Sequence, residues 1–93
     1  MLTIPGMESA TVIATDSRRG LFALQSHDGA CSVFSQYSGP EISAGDIITG
    51  AVSSRGVMTL EHIAGRVQAL GCTGAIPAAQ ALDLIRRKTG RRA

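Results

Sequence analysis

The chain has 93 residues, of which 44% are hydrophobic and 17% are charged, and its net charge is +2. This length supports one hydrophobic core, and this composition excludes an intrinsically disordered chain. No apolar run approaches the roughly 18 residues of a membrane-spanning helix, and residues 1–8 lack the basic start and apolar core of a secretory signal. We therefore expect a single domain over residues 1–93, located in the cytoplasm and without membrane contact.

The first half of the chain predicts short strands separated by turns. Residues 10–15 are rich in β-branched side chains, which favours a first strand, and residues 16–20 form a polar turn. Residues 20–26 and 30–36 alternate in character on either side of Asp28-Gly29. Because an Asp-Gly pair between alternating runs is the strongest local signal for a β-hairpin, we expect these two runs to pair.

The alternation within this hairpin predicts which side chains are buried. Successive side chains of a strand point to opposite faces of its sheet. We expect the inner face to carry two apolar side chains from each strand, namely Phe22, Leu24, Cys31 and Val33. This assignment leaves Phe34 and Gln36 on the outer face, with Tyr37 beside them at the end of the strand.

The segments that follow predict further strands. Residues 37–45 predict a loop, whereas residues 46–52 and 57–63 predict a fourth and a fifth strand. Residues 66–70 form either a sixth strand or a continuation of the fifth strand past a bulge at 64–65. Strands at spacings of roughly ten residues, with Gly or Pro at each break, are typical of a small all-β barrel.

Residues 76–88 predict the one helix of the chain. Pro77 suits the first helical position, Gly90 lies just beyond the end, and cations occupy the last turn. The helix either packs across the barrel or plugs one of its ends, or it pairs with a second copy or another protein. Residues 89–93 form a basic tail. The apolar stripe that must be covered consists of Ala78, Ala81, Leu82 and Ile85.

The hairpin carries motifs of a known family. The basic-glycine pair Arg19-Gly20 opens the second strand, Asp28-Gly29 forms the turn, and residues 33–38 read Val-Phe-Ser-Gln-Tyr-Ser. Over about residues 10–63 this order of residue types resembles the cold-shock domain, a five-stranded OB-type barrel that binds single-stranded RNA and DNA. The resemblance implies a mostly β fold, with a small five-stranded OB-like barrel over residues 10–70 and a C-terminal α-helix.

The same resemblance implies a site for single-stranded RNA or DNA with low sequence specificity. Phe34 and Tyr37 would stack on bases, at roughly 1–3 kcal/mol per base, and Gln36 would form hydrogen bonds to them. Two other aromatic positions of the family hold Leu21 and Ala23, which reduces the platform. Phosphates would be neutralised by a set of basic side chains, namely Arg18, Arg19, Arg55, Arg86, Arg87 and Lys88.

The basic residues are unevenly distributed along the chain. Five of the nine lie in the last eight positions, whereas residues 1–85 hold four basic and seven acidic residues, a net charge of −3. A single-strand binder usually presents a positive groove along the path of the backbone. That role therefore requires Arg18, Arg19 and Arg55 to converge with the tail.

In the alternative interpretation, the C-terminal helix covers the two rings and converts the binding face into core. A separate alternative function is a protein–protein interaction or homodimerisation module, in which the barrel is a scaffold and the helix with the exposed sheet face binds a partner, without nucleic-acid binding.

Other chemistry has little support in the sequence. The residue types of a zinc site are present, but no two have the close spacing of metal ligands, so we expect no metal and two separate thiols. A nucleophile elbow, a phosphate-binding glycine loop and a carboxylate pair at helical spacing are missing, so we expect neither an enzyme nor a cofactor. The zinc-type residues are Cys31, Cys72, His27 and His62.

Overall fold

The structure is a computed structural model that describes residues 8–86. Its strands close into a six-stranded barrel in the order β1-β2-β3-β6-β5-β4, and each strand is antiparallel to both of its neighbours. The predicted mostly β barrel with a C-terminal helix is confirmed, and a closed antiparallel barrel of this kind is consistent with an OB-like architecture. The elements are β1 (Glu8–Asp16), β2 (Leu21–Ser26), β3 (Cys31–Ser38), β4 (Ile47–Gly50), β5 (Gly56–His62), β6 (Gly65–Gly71) and α1 (Ala78–Arg86).

The predicted count of five strands is wrong, because β6 is a separate strand. Residues 63–64 form a tight turn that ends at Gly65, whose φ of 145° favours glycine. The chain therefore reverses, and β6 pairs with β5 along its whole length, from His62↔Gly65 to Gly56↔Gly71. Of the two alternatives for residues 66–70, the sixth strand is the one observed.

The barrel interior holds the larger of two apolar clusters. Phe22 and Phe34 face each other across β2 and β3, with ring centroids 5.6 Å apart and planes 10° from parallel. Ile42 from the β3–β4 loop and Val52 from the β4–β5 turn belong to the same cluster. The hydroxyl of Ser32 is buried here and donates to the carbonyl oxygen of Val52, so this polar group is hydrogen-bonded.

Phe34 is fully buried, with 0% of its surface exposed, so its predicted place on the outer face is wrong. Three residues, 27–29, lie between Ser26 and Ala30, which are joined by a hydrogen bond from Ser26 N to Ala30 O at 2.9 Å. The resulting register pairs Phe22 with Phe34, and paired residues share a face. A register that differs by one residue turns every side chain of a strand to the other face, which explains the error.

Cys31 and Val33 are buried, but on the outside of the barrel beneath α1. Together with Ala23 they form the second cluster with Ala81 and Ile85 of the helix. The helix thus packs across the outer face of the β1–β2–β3 sheet, which confirms one of the two predicted alternatives.

Helix α1 begins at Ala78, two residues later than predicted, and its nine residues run to Arg86, the last residue that the structure describes. Nothing in residues 8–86 forms a helix with the length and apolar character to cross a membrane. Just before it, Ile76 forms two backbone hydrogen bonds with Cys31, at 2.7 and 2.8 Å, which tie the connection to β3. The predicted helical positions Arg87 and Lys88 and the tail at 89–93 lie outside the described residues.

Candidate nucleic-acid interface

The structure brings the β1–β2 turn, the end of β3 and the end of α1 to one end of the barrel. Gln36 N donates to Gly20 O at 2.7 Å, which joins β3 to the turn. Arg19 Nη2 donates to Leu84 O at 3.2 Å and to Ile85 O at 2.6 Å, which joins the turn to the helix. We call this region, formed by residues 16–20, 36–42 and 84–86, the arginine end.

Arg19 has a structural role at the arginine end. Its Nε donates to Asp16 Oδ2 at 2.6 Å, while its Nη2 binds the last carbonyl groups of α1. A cation beside the carbonyl oxygens near the C-terminal side of a helix interacts favourably with the helix dipole. The guanidinium therefore joins the turn to the helix, so Arg19 is less available to phosphates than the sequence predicted.

Asp16 organises the turn that presents Arg18. Its Oδ1 accepts hydrogen bonds from the backbone N–H groups of Arg18 and Arg19, at 3.1 and 3.3 Å. The hydrogen bond from the Arg19 side chain is the main cause that holds the pKa of Asp16 below its usual value. The carboxylate thus stays charged and holds the turn, and the Arg18 side chain is exposed to solvent.

Tyr37 is the one exposed ring among the three aromatic residues of the chain. It lies at an irregularity between Gln36 and Ser38 of β3, and 59% of its surface is exposed. Because Phe34 is in the barrel core, the predicted platform of two rings is reduced to one.

Gln36 supports the loop that follows β3. Its Nε2 donates to Pro40 O at 2.8 Å and, more weakly, to Ser38 O at 3.4 Å. The side chain is half-buried. Its amide nitrogen is therefore already in use, and its carbonyl oxygen is the group it can offer to a ligand.

Arg55 lies at the opposite end of the barrel. It belongs to the β4–β5 turn, and its Cγ is 3.2 Å from the position that a Cβ on Gly74 would occupy. The side chain is exposed but does not join the arginine end. The predicted convergence of basic residues therefore includes Arg18, Arg19 and Arg86 but not Arg55.

The described residues do not form a positive groove by themselves. Residues 8–86 contain five arginines and seven acidic residues, a net charge of −2. Three acidic side chains are paired, Asp16 with Arg19 at 2.6 Å, Asp46 with His62 at 2.7 Å and Glu61 with Arg66 at 3.6 Å. Among the described residues, the positive character of this end therefore depends on Arg18 and Arg86. Four further basic residues follow Arg86 in the sequence.

A cleft opens at the arginine end between the β1–β2 turn and the β3–β4 loop. Its volume is about 250 Å³, and it is lined by Thr15, Leu21, Phe22, Gln36, Glu41 and Ile42, among others. Sequence reasoning missed it, because its walls come from three segments that only the closure of the barrel brings together. The one available signal was Gly39-Pro40, which marks a loop.

His62 is a structural residue next to this loop. Its Nδ1 accepts a hydrogen bond from Ala64 N at 3.0 Å, so Nε2 carries the proton and donates to Asp46 Oδ2 at 2.7 Å. This bond is the main cause that lowers the pKa of Asp46. The pair therefore fastens the end of β5 to the β3–β4 loop.

The remaining candidate ligands are dispersed. Cys31 and Cys72 are separate thiols, of which Cys31 is buried and Cys72 is half-buried, and burial raises the pKa of Cys31. Within residues 8–86, His, Cys, Asp and Glu side chains form no group of three that could hold a metal ion.

No family model, curated protein or solved structure matches this chain.

Proposed function

We propose that this chain binds single-stranded RNA or DNA at the arginine end, with low sequence specificity. The observation that carries this proposal is the convergence of Arg18, Tyr37 and Arg86. Two sets of hydrogen bonds maintain it, from Gln36 to Gly20 and from Arg19 to the end of α1. The order of residue types along the hairpin, which resembles that of the cold-shock domain, points to the same class of ligand.

Phosphate contacts supply most of the affinity in this proposal. Arg18 and Arg86 are exposed, and the basic residues that follow Arg86 directly, including Arg87 and Lys88, continue the positive charge along the chain. Each phosphate that a protein neutralises on a single strand contributes about −0.7 to the slope of log K against log salt. Binding should therefore weaken steeply as salt is raised.

Stacking on Tyr37 adds a smaller, sequence-tolerant contribution. One exposed ring corresponds to about 1–3 kcal/mol of base stacking. This is less than a platform of several rings provides, so we expect weaker binding than that of a complete cold-shock platform.

The test is a titration of fluorescently labelled single-stranded RNA and DNA at two salt concentrations, read by anisotropy. We expect Arg18→Ala to weaken binding and to reduce the salt dependence, because one phosphate contact is lost. Arg55→Ala removes the same charge at the opposite end of the barrel and should leave binding nearly unchanged. The proposal fails if no oligonucleotide binds at low salt, or if both substitutions have equal effects.

A second candidate function is self-association through the outer face of β5 and β6. On this face Val57 is 69% exposed and pairs with Leu70, while Glu61 pairs with Arg66. In a face-to-face dimer whose two-fold axis is parallel to the strands, β5 of one copy lies over β6 of the other. Apolar side chains then meet apolar ones and acids meet bases, so the face is complementary to itself.

This candidate replaces pairing through the helix, which the sequence suggested. The stripe residues Ala81 and Ile85 are buried against the chain's own barrel, with 0% and 4% of their surfaces exposed. A partner would have to displace the barrel to reach them. We expect a weak dimer, because the exposed sheet face is small compared with stable interfaces.

Light scattering over a range of concentrations tests self-association. We expect a rising apparent mass for the natural chain and a constant monomer mass for Val57→Glu, which places a carboxylate of each copy against the apolar Leu70 of the other. Leu82→Glu on the helix is the matched control and should leave the mass curve unchanged. A monomer at high concentration contradicts this second candidate.

A further inference from the structure

The cleft at the arginine end has an apolar floor and a polar rim. Leu21, Phe22 and Ile42 supply the apolar part of its lining, and their positions are fixed because they belong to the packed clusters of the barrel. Sites for small planar ligands usually combine such apolar walls with a few well-placed polar groups. Its volume of about 250 Å³ provides space for one aromatic ring system.

On the rim, Glu41 and Gln36 offer hydrogen-bond acceptors, whereas the hydroxyls of Thr15 and Ser17 can donate or accept. Glu41 is exposed and contributes a carboxylate, which accepts only. Gln36 contributes its carbonyl oxygen, since its nitrogen donates to Pro40 O at 2.8 Å. Among the described residues that line the cleft, none is basic. A ligand edge that faces Glu41 and Gln36 must therefore present N–H donors.

The bases of a single strand differ in this property. Guanine carries two adjacent donors, N1–H and the 2-amino group, which match the two oxygens of a carboxylate, and cytosine carries a 4-amino group. Uracil and thymine place carbonyl oxygens on both sides of a single N–H. In a single strand these edges are available for recognition.

We infer that the cleft receives one unpaired base and that Glu41 makes it prefer guanine by accepting hydrogen bonds from its Watson–Crick edge. This inference rests on the proposed function, and it adds a base preference to binding that otherwise depends on charge. Arg18 and Tyr37 are the chain neighbours of Ser17 and Gln36, which line the cleft, so a strand held by the first two is close to its opening.

The experiment compares three short labelled single strands of equal length. One contains only uracil, one alternates uracil with guanine, and one alternates uracil with hypoxanthine, which lacks the 2-amino group. We expect the guanine strand to bind about tenfold more tightly than the uracil strand, within the 1–3 kcal/mol typical of base discrimination. The hypoxanthine strand should lie between them.

Two variants identify the residue responsible. Glu41→Gln keeps the shape of the side chain but replaces one acceptor with a donor, so the preference for guanine should disappear while the uracil strand still binds. Glu61→Gln removes the same charge from the outer face of β5 and should preserve the preference. Circular dichroism and the thermal midpoint check that both variants remain folded.

The outcomes distinguish this inference from the proposed function on which it rests. If all three strands bind equally, or if Glu41→Gln retains the preference, the inference is overturned and the proposed function stands. If no strand binds at low salt, both are overturned.

Discussion

The two sides of the barrel bury their side chains differently. Strands β2 and β3 have apolar residues on both faces, with Phe22 and Phe34 inside and Ala23 and Val33 beneath α1. Strands β5 and β6 have one buried face, and their outer face carries exposed residues such as Val57. Helix α1 therefore covers the strands whose outer face is also apolar. It leaves the outer face of β5 and β6 in contact with solvent.

This difference determines where a ligand could bind. The face of β1–β2–β3 is closed by the helix, so its side chains form core and cannot support bases. The outer face of β5 and β6 stays accessible, and so does the arginine end, where Tyr37 and Arg18 are exposed. The helix thus moves the candidate interface from a sheet face to one end of the barrel.

The sharpest way to test this comparison is to remove the two rings of β3 one at a time. Phe34→Ala leaves a cavity beside Phe22 and should lower the free energy of unfolding by about 3–5 kcal/mol. Tyr37→Ala removes an exposed ring and should change it by about 0.5 kcal/mol or less, while weakening oligonucleotide binding. Urea denaturation measures both free energies of unfolding. Similar losses of stability in the two variants would contradict the buried position of Phe34 and the exposed position of Tyr37.

A second test compares the covered sheet with the uncovered one. Ile85→Ala removes packing between α1 and the barrel and should cost about 2–4 kcal/mol, in the range of buried Ile→Ala substitutions. Val57→Ala on the exposed face is the control and should cost about 0.5 kcal/mol or less. If Ile85→Ala proved as mild as its control, the helix would not be a stable part of the domain.

The smallest expected effect concerns pH and the turn at the arginine end. The pKa of Asp16 is lowered in the folded chain, mainly by the hydrogen bond from Arg19, so the unfolded chain binds this proton first as pH falls. The stability from Asp16 is complete above its unfolded pKa and is lost as pH falls through its folded pKa. Denaturation midpoints between neutral and acidic pH should therefore fall less in Asp16→Asn than in the natural chain. An equally steep fall in both would rule out this contribution.

Much of the fold could be predicted from local patterns. The Asp28-Gly29 turn, the β-branched run of β1 and the signals around Pro77 each depend on neighbouring residues, and each indicated the correct type of element. The fifth and sixth strands were harder to separate, because Gly65 can mark either a bulge or a turn. Only the pairing of β6 with β3 and β5 distinguishes the two.

The candidate site was less predictable, because its residues meet through contacts between distant segments. Arg18 and Tyr37 were identified from their types and positions, but the sequence could not show that Arg19 joins the turn to α1 or that Arg55 lies at the other end. Glu41 was not selected at all, since an isolated acidic residue in a loop has no local pattern that indicates a cleft.

The sequence by itself determined the kinds of elements and their order, because strand, turn and helix signals arise from interactions over a few residues. The tertiary structure decided which face of each strand is inside. In β3 both faces are apolar enough to be buried, and alternation alone cannot tell a barrel interior from the underside of a helix. Phe34 therefore lies in the core and Val33 beneath α1, a choice made by the register of the hairpin and the packing of the helix.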